Sequence, residues 1–137
     1  MKKSGLEVER DVFALVNASP IKSAIKGSLY RNGMRPINSI TEDAVVSFMT
    51  GLDGQFQTGV VTINIYVPDI DNGQGAKVKD LNRCLYMETI GNTLVQSLKA
   101  SDYRFSLASM VSTFQIEEEG VSQHMVNIKL KFELKTF

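Results

Sequence analysis

One cysteine, Cys84, one histidine, His124, and no tryptophan define what this 137-residue chain does without. A lone thiol forms no internal disulfide, which fits a reducing compartment. A metal site built on His124 would need further ligands at suitable spacing. Neither sign of charge is in excess: Lys+Arg is 15, Asp+Glu is 15, and the formal net charge is zero. The basic surplus usual in nucleic-acid modules is therefore missing. Near-neutrality also weakens repulsion between copies, which is compatible with self-association. No apolar run approaches the ~20 residues a membrane span needs. Met1-Lys2-Lys3 resembles the start of a secretory leader, but Glu7, Glu9, Arg10 and Asp11 interrupt any apolar segment after it. These absences predict a soluble cytosolic protein with neither nucleic acid nor membrane as partner.

What is present is patterned. An apolar fraction of 43% is enough for one core, and the length predicts one domain over residues 1–137. Gln55–Pro68 holds Val61, Ile63, Ile65 and Val67 alternating with Thr62, Asn64 and Tyr66, the period of a half-buried strand. Asp53-Gly54 signals a turn before it, and Pro68 ends it. Glu42–Met49 reads as its antiparallel partner, with Ala44, Val46 and Phe48 on one face and Val45 and Met49 on the other. Gly59 predicts a bulge or a close backbone approach. The clearest strand is His124–Thr136, with Val126, Ile128, Leu130, Phe132 and Leu134 inward. A strand near Ser109–Glu117 completes a second hairpin through Glu117–Gly120.

Helical spacing occurs twice. Leu6–Asn17 reads as an amphipathic helix, followed by a short one over Pro20–Lys26 that Ser19 caps and Gly27 ends. Leu81–Leu98 reads as one long helix opened by Asp80. Cys84, Met87, Gly91, Leu94 and Leu98 form its apolar stripe, widened by Leu85 and Val95. Gly91 costs about 1 kcal/mol against alanine in a helix interior, which suits a backbone lying close on the sheet. A short strand falls within Ser28–Pro36, and Asp69–Lys79 reads as a polar loop. The element order is then α-β-β-β-α-β-β. The expected fold is α+β: an antiparallel sheet of four to five strands, one long helix on one face, and short N-terminal helices.

Candidate chemistry is sparse. Asn72–Lys77 stands where a phosphate cradle would, between strand and helix, but lacks the P-loop and dinucleotide patterns. Asp69, Asp71, Asn72 and Gly73 resemble the start of a calcium loop, with the glycine one place early and Asp80 where glutamate is usual. A plain polar turn explains both better. His124, opening an outward-polar strand, is expected at the surface. Cys84, on the apolar stripe, is expected to be buried and inert. Lys22, Lys26, Arg31 and Arg35 read as a solvated basic face, or as a contact for an acidic protein. Glu117–Glu119 read as a solvated turn. No constellation points to an enzyme, and no cofactor or metal is expected.

The layout carries more than any motif. A helix leads to Gly27-Ser28-Leu29-Tyr30 and Arg35-Pro36. A hairpin follows, with the arm Val61-Thr62-Ile63-Asn64-Ile65-Tyr66-Val67. The helix Leu81–Leu98 and a hairpin ending in Asn127-Ile128-Lys129-Leu130-Lys131-Phe132 close the chain. This resembles the tail-completion, tail-terminator and head–tail joining (neck) proteins of long-tailed bacteriophages, from about Leu6 to Phe137, with a longer Asp69–Lys79 insertion. The resemblance implies a virion structural protein of a phage or prophage, assembled in the host bacterial cytoplasm. It implies a cyclic homo-oligomer, often a hexamer, that contacts tail-tube or neck proteins and performs no catalysis. The expected oligomer contacts are Tyr66, Phe114 and Ile116 for affinity. Acidic Glu117, Glu118 and Glu119 are set against basic Lys77 and Lys79, with Lys22 and Lys26 beside them. The alternative is a cytosolic module with a ferredoxin-like sheet that binds a small ligand or a protein through Asp69–Lys79.

Overall fold

A computed structural model describes residues 2–118 and 120–137, with the backbone alone at Glu117 and Glu118. Its spine is the antiparallel pair of β3 (Phe56–Pro68) and β8 (Val121–Lys135), in register from Phe56 opposite Lys135 to Pro68 opposite Gln123. β2 (Ala44–Leu52) pairs antiparallel with β3, and β1 (Leu29–Arg31) pairs parallel with β2. On the far side of β8, β6 (Tyr103–Leu107) and β7 (Ser112–Glu118) share one edge in succession. The sheet is thus six-stranded and mixed. A separate two-stranded unit, β4 (Ile70–Asp71) with β5 (Lys77–Val78), lies within the loop that leads to the third helix.

These findings correct the expected four-to-five-stranded antiparallel sheet with one long helix. A parallel pair needs a connection of roughly a dozen residues or more, and Asn32–Asp43 supplies it. Tyr103–Leu107 adds a strand absent from the predicted order. The described residues hold three α-helices: α1 (Gly5–Asn17), α2 (Pro20–Ala24) and α3 (Leu81–Thr93). α1 and α3 are equal in length at 13 residues each. The predicted helix over Leu81–Leu98 tightens into a 3-10 turn at Leu94–Ser97, which still buries Leu94 and Leu98.

The helices cover one face of the sheet. Val8, Val12 and Val16 of α1, Ile21 of α2, and Cys84, Met87 and Leu94 from α3 and its 3-10 turn form one core with Ile63, Ile65, Ile128, Leu130 and Phe132. Ser4 and Glu7 cap α1 reciprocally: the Glu7 N–H donates to Ser4 Oγ and the Ser4 N–H to Glu7 Oε1. Asp80 accepts from the Arg83 N–H at the start of α3. A Cβ at Gly91 would stand 2.8 Å from Ile128 Cγ1, so α3 does press its backbone onto β8. One at Gly59 would meet Thr50 O at 2.1 Å, the close approach that the glycine foretold. The bulge itself falls opposite, between Phe48 and Thr50.

Candidate functional site

Alternation along β3 and β8 sends every second residue away from the helices. On that outer face, Tyr66 stands opposite Met125, and Met125 opposite Phe114. Ile116 is two residues on from Phe114, opposite Gln123. The fold therefore brings the predicted contact residues Tyr66, Phe114 and Ile116 into one patch. Phe114 is 50% exposed, and the helices of the described residues pack on the opposite face. β7 also lies at a sheet edge, where unpaired backbone groups can accept another strand.

The charged contact residues are placed differently from expectation. Lys77 and Lys79 are exposed on or beside β5. Lys77 lines a cleft with Ile40, Pro68, Asp69 and Gly120–Ser122, so the basic loop end and the Glu117–Gly120 turn share one end of the molecule. Two surfaces of one head-to-tail contact must stand apart, and these two do not. Of the acidic residues, Glu119 lies outside the described residues, and Glu117 and Glu118 are placed through their backbone on β7.

One end of the outer face is closed by the Asn32–Asp43 connection. Arg35 lies over the Tyr66 ring, 4.1 Å from its centroid, and donates from Nη2 to Gln123 Oε1. Its Nε donates to Asp43 Oδ2 at 3.0 Å. Asp43 is fully buried and also accepts from the Ser28 N–H, Ser39 Oγ and Thr41 Oγ1. Burial alone would raise its pKa. The Ser28 N–H, the two hydroxyls and Arg35 outweigh burial and hold the carboxyl below its usual range.

Glu42, the preceding residue, serves the helical side. It accepts from Arg83 Nε at 3.0 Å and from the Lys26 N–H at 3.1 Å, while Arg83 Nη2 donates to Ala24 O. Two consecutive carboxylates thus tie the start of β2 to opposite layers. A Cβ at Gly27 would meet Asp43 Oδ1 at 2.1 Å and Glu42 O at 2.6 Å, so only glycine fits beside them.

The basic cluster is accordingly not a solvated face. Arg31 pairs with buried Glu9 of α1 at 2.8 Å and Arg35 with Asp43, while Lys22 and Lys26 remain exposed. Sequence reasoning passed over Asp43, Glu42 and Arg83, and read Asp69 as part of a polar turn. The signal for the first two was two adjacent carboxylates opening an apolar strand, which need partners once buried.

His124 departs from its expected surface position as well. It is opposite Val67 on the helical side, and its Nδ1 lies 2.6 Å from Asp69 Oδ1. Ser122 Oγ donates to Asp69 Oδ2 at 2.6 Å. Serine, aspartate and histidine meet here in an order that does not activate a nucleophile. In a hydrolytic triad the imidazole stands between hydroxyl and carboxylate and takes the hydroxyl proton. Here the carboxylate stands between, and Ser122 donates to an acceptor that holds it in place.

Cys84 is buried on α3, and burial pushes its thiol up to about 11. At neutral pH it is a packed thiol and not a nucleophile. Among the described residues, no group of three or more His, Cys, Asp or Glu side chains is placed to hold a metal ion. No helix among the described residues is long and apolar enough to cross a membrane. A second cleft of about 320 Å³ is bounded by Lys26, Glu42, Asp69, Asp80 and Arg83. Apart from Lys26, these side chains already bond to one another or to neighbouring protein groups.

No family model and no curated protein matches the chain. Among solved structures the fold is matched. One such chain, whose name is a bare serial label stating no activity, superposes with a TM-score of 0.52 at 13% identity, covering 93% of this chain and 96% of its own. At that identity the likeness establishes a shared fold over nearly the whole chain and nothing about activity.

Proposed function

We propose that the protein is a ring-forming structural subunit of a phage or prophage virion, acting as a tail terminator or head–tail connector. The observation that carries the docking part, contact with a tail-tube or neck protein, is the open outer face of the sheet. Met125, Phe114 and Ile116 form a patch next to the β7 edge, bounded at one end by Tyr66 under Arg35. Contiguous apolar patches rimmed by polar residues mark interaction surfaces. The virion assignment is supported by the resemblance of the sequence, from about Leu6 to Phe137, to the tail-completion and neck proteins. In this reading tight side-chain networks keep each subunit rigid, and affinity comes from apolar side chains on the open face.

Co-sedimentation with purified tail tubes tests it. The protein is expected to pellet with tubes in an amount proportional to tube ends, and Phe114→Asp is expected to abolish this while leaving the fold intact. Failure of the wild-type protein to bind tube ends or neck complexes would overturn the virion reading.

A ligand-binding module is the second reading, and the cleft beside Asp69 and Arg83 favours it. It ranks below because those polar groups are already satisfied within the fold, leaving few donors for a ligand.

A further inference from the structure

We propose that copies of this chain join head to tail, with the β4–β5 arm of one copy seated in the cleft between α1 and the β2–β3 hairpin of the next. The proposal rests on the self-assembly read above and names the contact that would perform it.

The arm leaves the end of β3 at Pro68 and pairs only within itself. Its shape comes from its own turn: the Gly73 N–H donates to Asp71 Oδ1, the Gln74 N–H to Asn72 Oδ1, and Gly73 and Gly75 take positive φ. An isolated two-stranded hairpin is marginal in water without an apolar surface to cover. The arm's one apolar cross-strand pair, Ile70 with Val78, is left 46% and 40% exposed. Lys77 and Lys79 flank Val78 and make no ion pair among the described residues.

The receiving cleft lies at the opposite end of β3, which at 13 residues spans roughly 40 Å. It measures about 440 Å³ and is lined by Phe48, Met49, Leu52, Gln57, Asp53 and Lys3, the last already paired with Asp11. Gly51 and Gly59 sit opposite each other in this part of the hairpin and contribute no side chains. Leu52 is 74% exposed, an apolar surface without a cover. Asp53 bonds only to the Gln57 amide among the described residues, leaving its charge for a cation. An apolar pair flanked by lysines thus matches the exposed Met49 and Leu52 side chains with the Asp53 carboxylate next to them.

Donor and acceptor stand at opposite ends, so the contact is heterologous. Each added copy retains one unfilled arm or cleft until a ring closes.

Full-length variants distinguish this from other modes of assembly. An arm variant, Ile70→Asp with Val78→Asp, and a cleft variant, Met49→Asp with Leu52→Asp, alter exposed side chains. Each alone is expected to remain a monomer by sedimentation velocity. Mixed, they are expected to form a one-to-one dimer and nothing larger, because one intact arm and one intact cleft remain. Variants that assemble like wild type, or a mixture that yields no dimer, would overturn the contact. Should either variant lose its circular dichroism signal, Lys77→Glu with Lys79→Glu takes its place. That charge variant is expected to weaken assembly and to be rescued by Asp53→Lys; no rescue counts against the contact. Wild-type protein that stays monomeric refutes self-assembly altogether, whereas wild-type assembly unaffected by these variants refutes this contact alone.

Discussion

Asp43 carries four hydrogen bonds on one buried carboxylate, and residue-scale behaviour follows from that concentration. Asp43→Asn removes the charge that Arg35 faces and leaves a buried guanidinium unpaired. Breaking such a pair costs about 3–5 kcal/mol, a large part of a small domain's stability. Chemical denaturation of the variant measures it directly. The pH dependence has a definite sign. The folded pKa of Asp43 lies below its ordinary 3.8, so the unfolded chain binds more protons in acid. Its contribution is complete above the unfolded value and is lost as pH falls through 3.8 and below. Asp11 adds in the same direction: burial opposes its ionisation, while Lys3, Tyr103 and Arg10 more than offset this. Urea midpoints should therefore fall on acidification below that point, and Asp43→Asn should flatten the fall. Gly27→Ala should cost at least about 1–3 kcal/mol, because the added carbon meets backbone as well as Asp43.

At the scale of elements, strands were legible where one face is dry and the other wet. Ile128, Leu130 and Phe132 alternate with Asn127, Lys129 and Lys131, and all three apolar side chains are buried as the period required. Truncating Ile128 or Leu130 to alanine should cost about 2–5 kcal/mol in equilibrium unfolding. The parallel pairing of β1 was not legible, because three residues carry no periodicity and their partner is set by the distant Arg35 network. Leu85 was read into the apolar stripe of α3 yet is exposed, since a 13-residue helix turns only one narrow side to the sheet. The Ser4–Glu7 capping box, at the spacing S-x-x-E, marks the start of α1 one residue before the Leu6 at which the sequence pattern placed it. His124 was misplaced because its carboxylate partner lies across the sheet and arrives only through the β3–β8 register. His124→Ala should therefore lower stability by about 1–3 kcal/mol, by removing one partner of buried Asp69. It should leave binding to tail tubes unchanged, which pull-down of the variant checks.

The whole molecule has one layered side and one open side. All helices lie against the same sheet face, and the other face presents the Tyr66–Met125–Phe114 row. Of the apolar residues proposed as contacts, Tyr66 was legible as the outward alternate of Ile65 and Val67, whereas Phe114 and Ile116 reach the same face through the β7–β8 register. The charged ones were not, because their separation depends on how loops fold back. Exposed ion pairs contribute only about 0–1 kcal/mol each, so salt should change the assembly less than loss of an apolar side chain does. The most direct measurement is sedimentation equilibrium of the wild-type chain over a wide concentration range, at low and high salt. A mass that climbs from 15.2 kDa to one fixed multiple of it, and holds there in high salt, is the expected result. A mass that stays at 15.2 kDa at every concentration would contradict the ring-forming subunit.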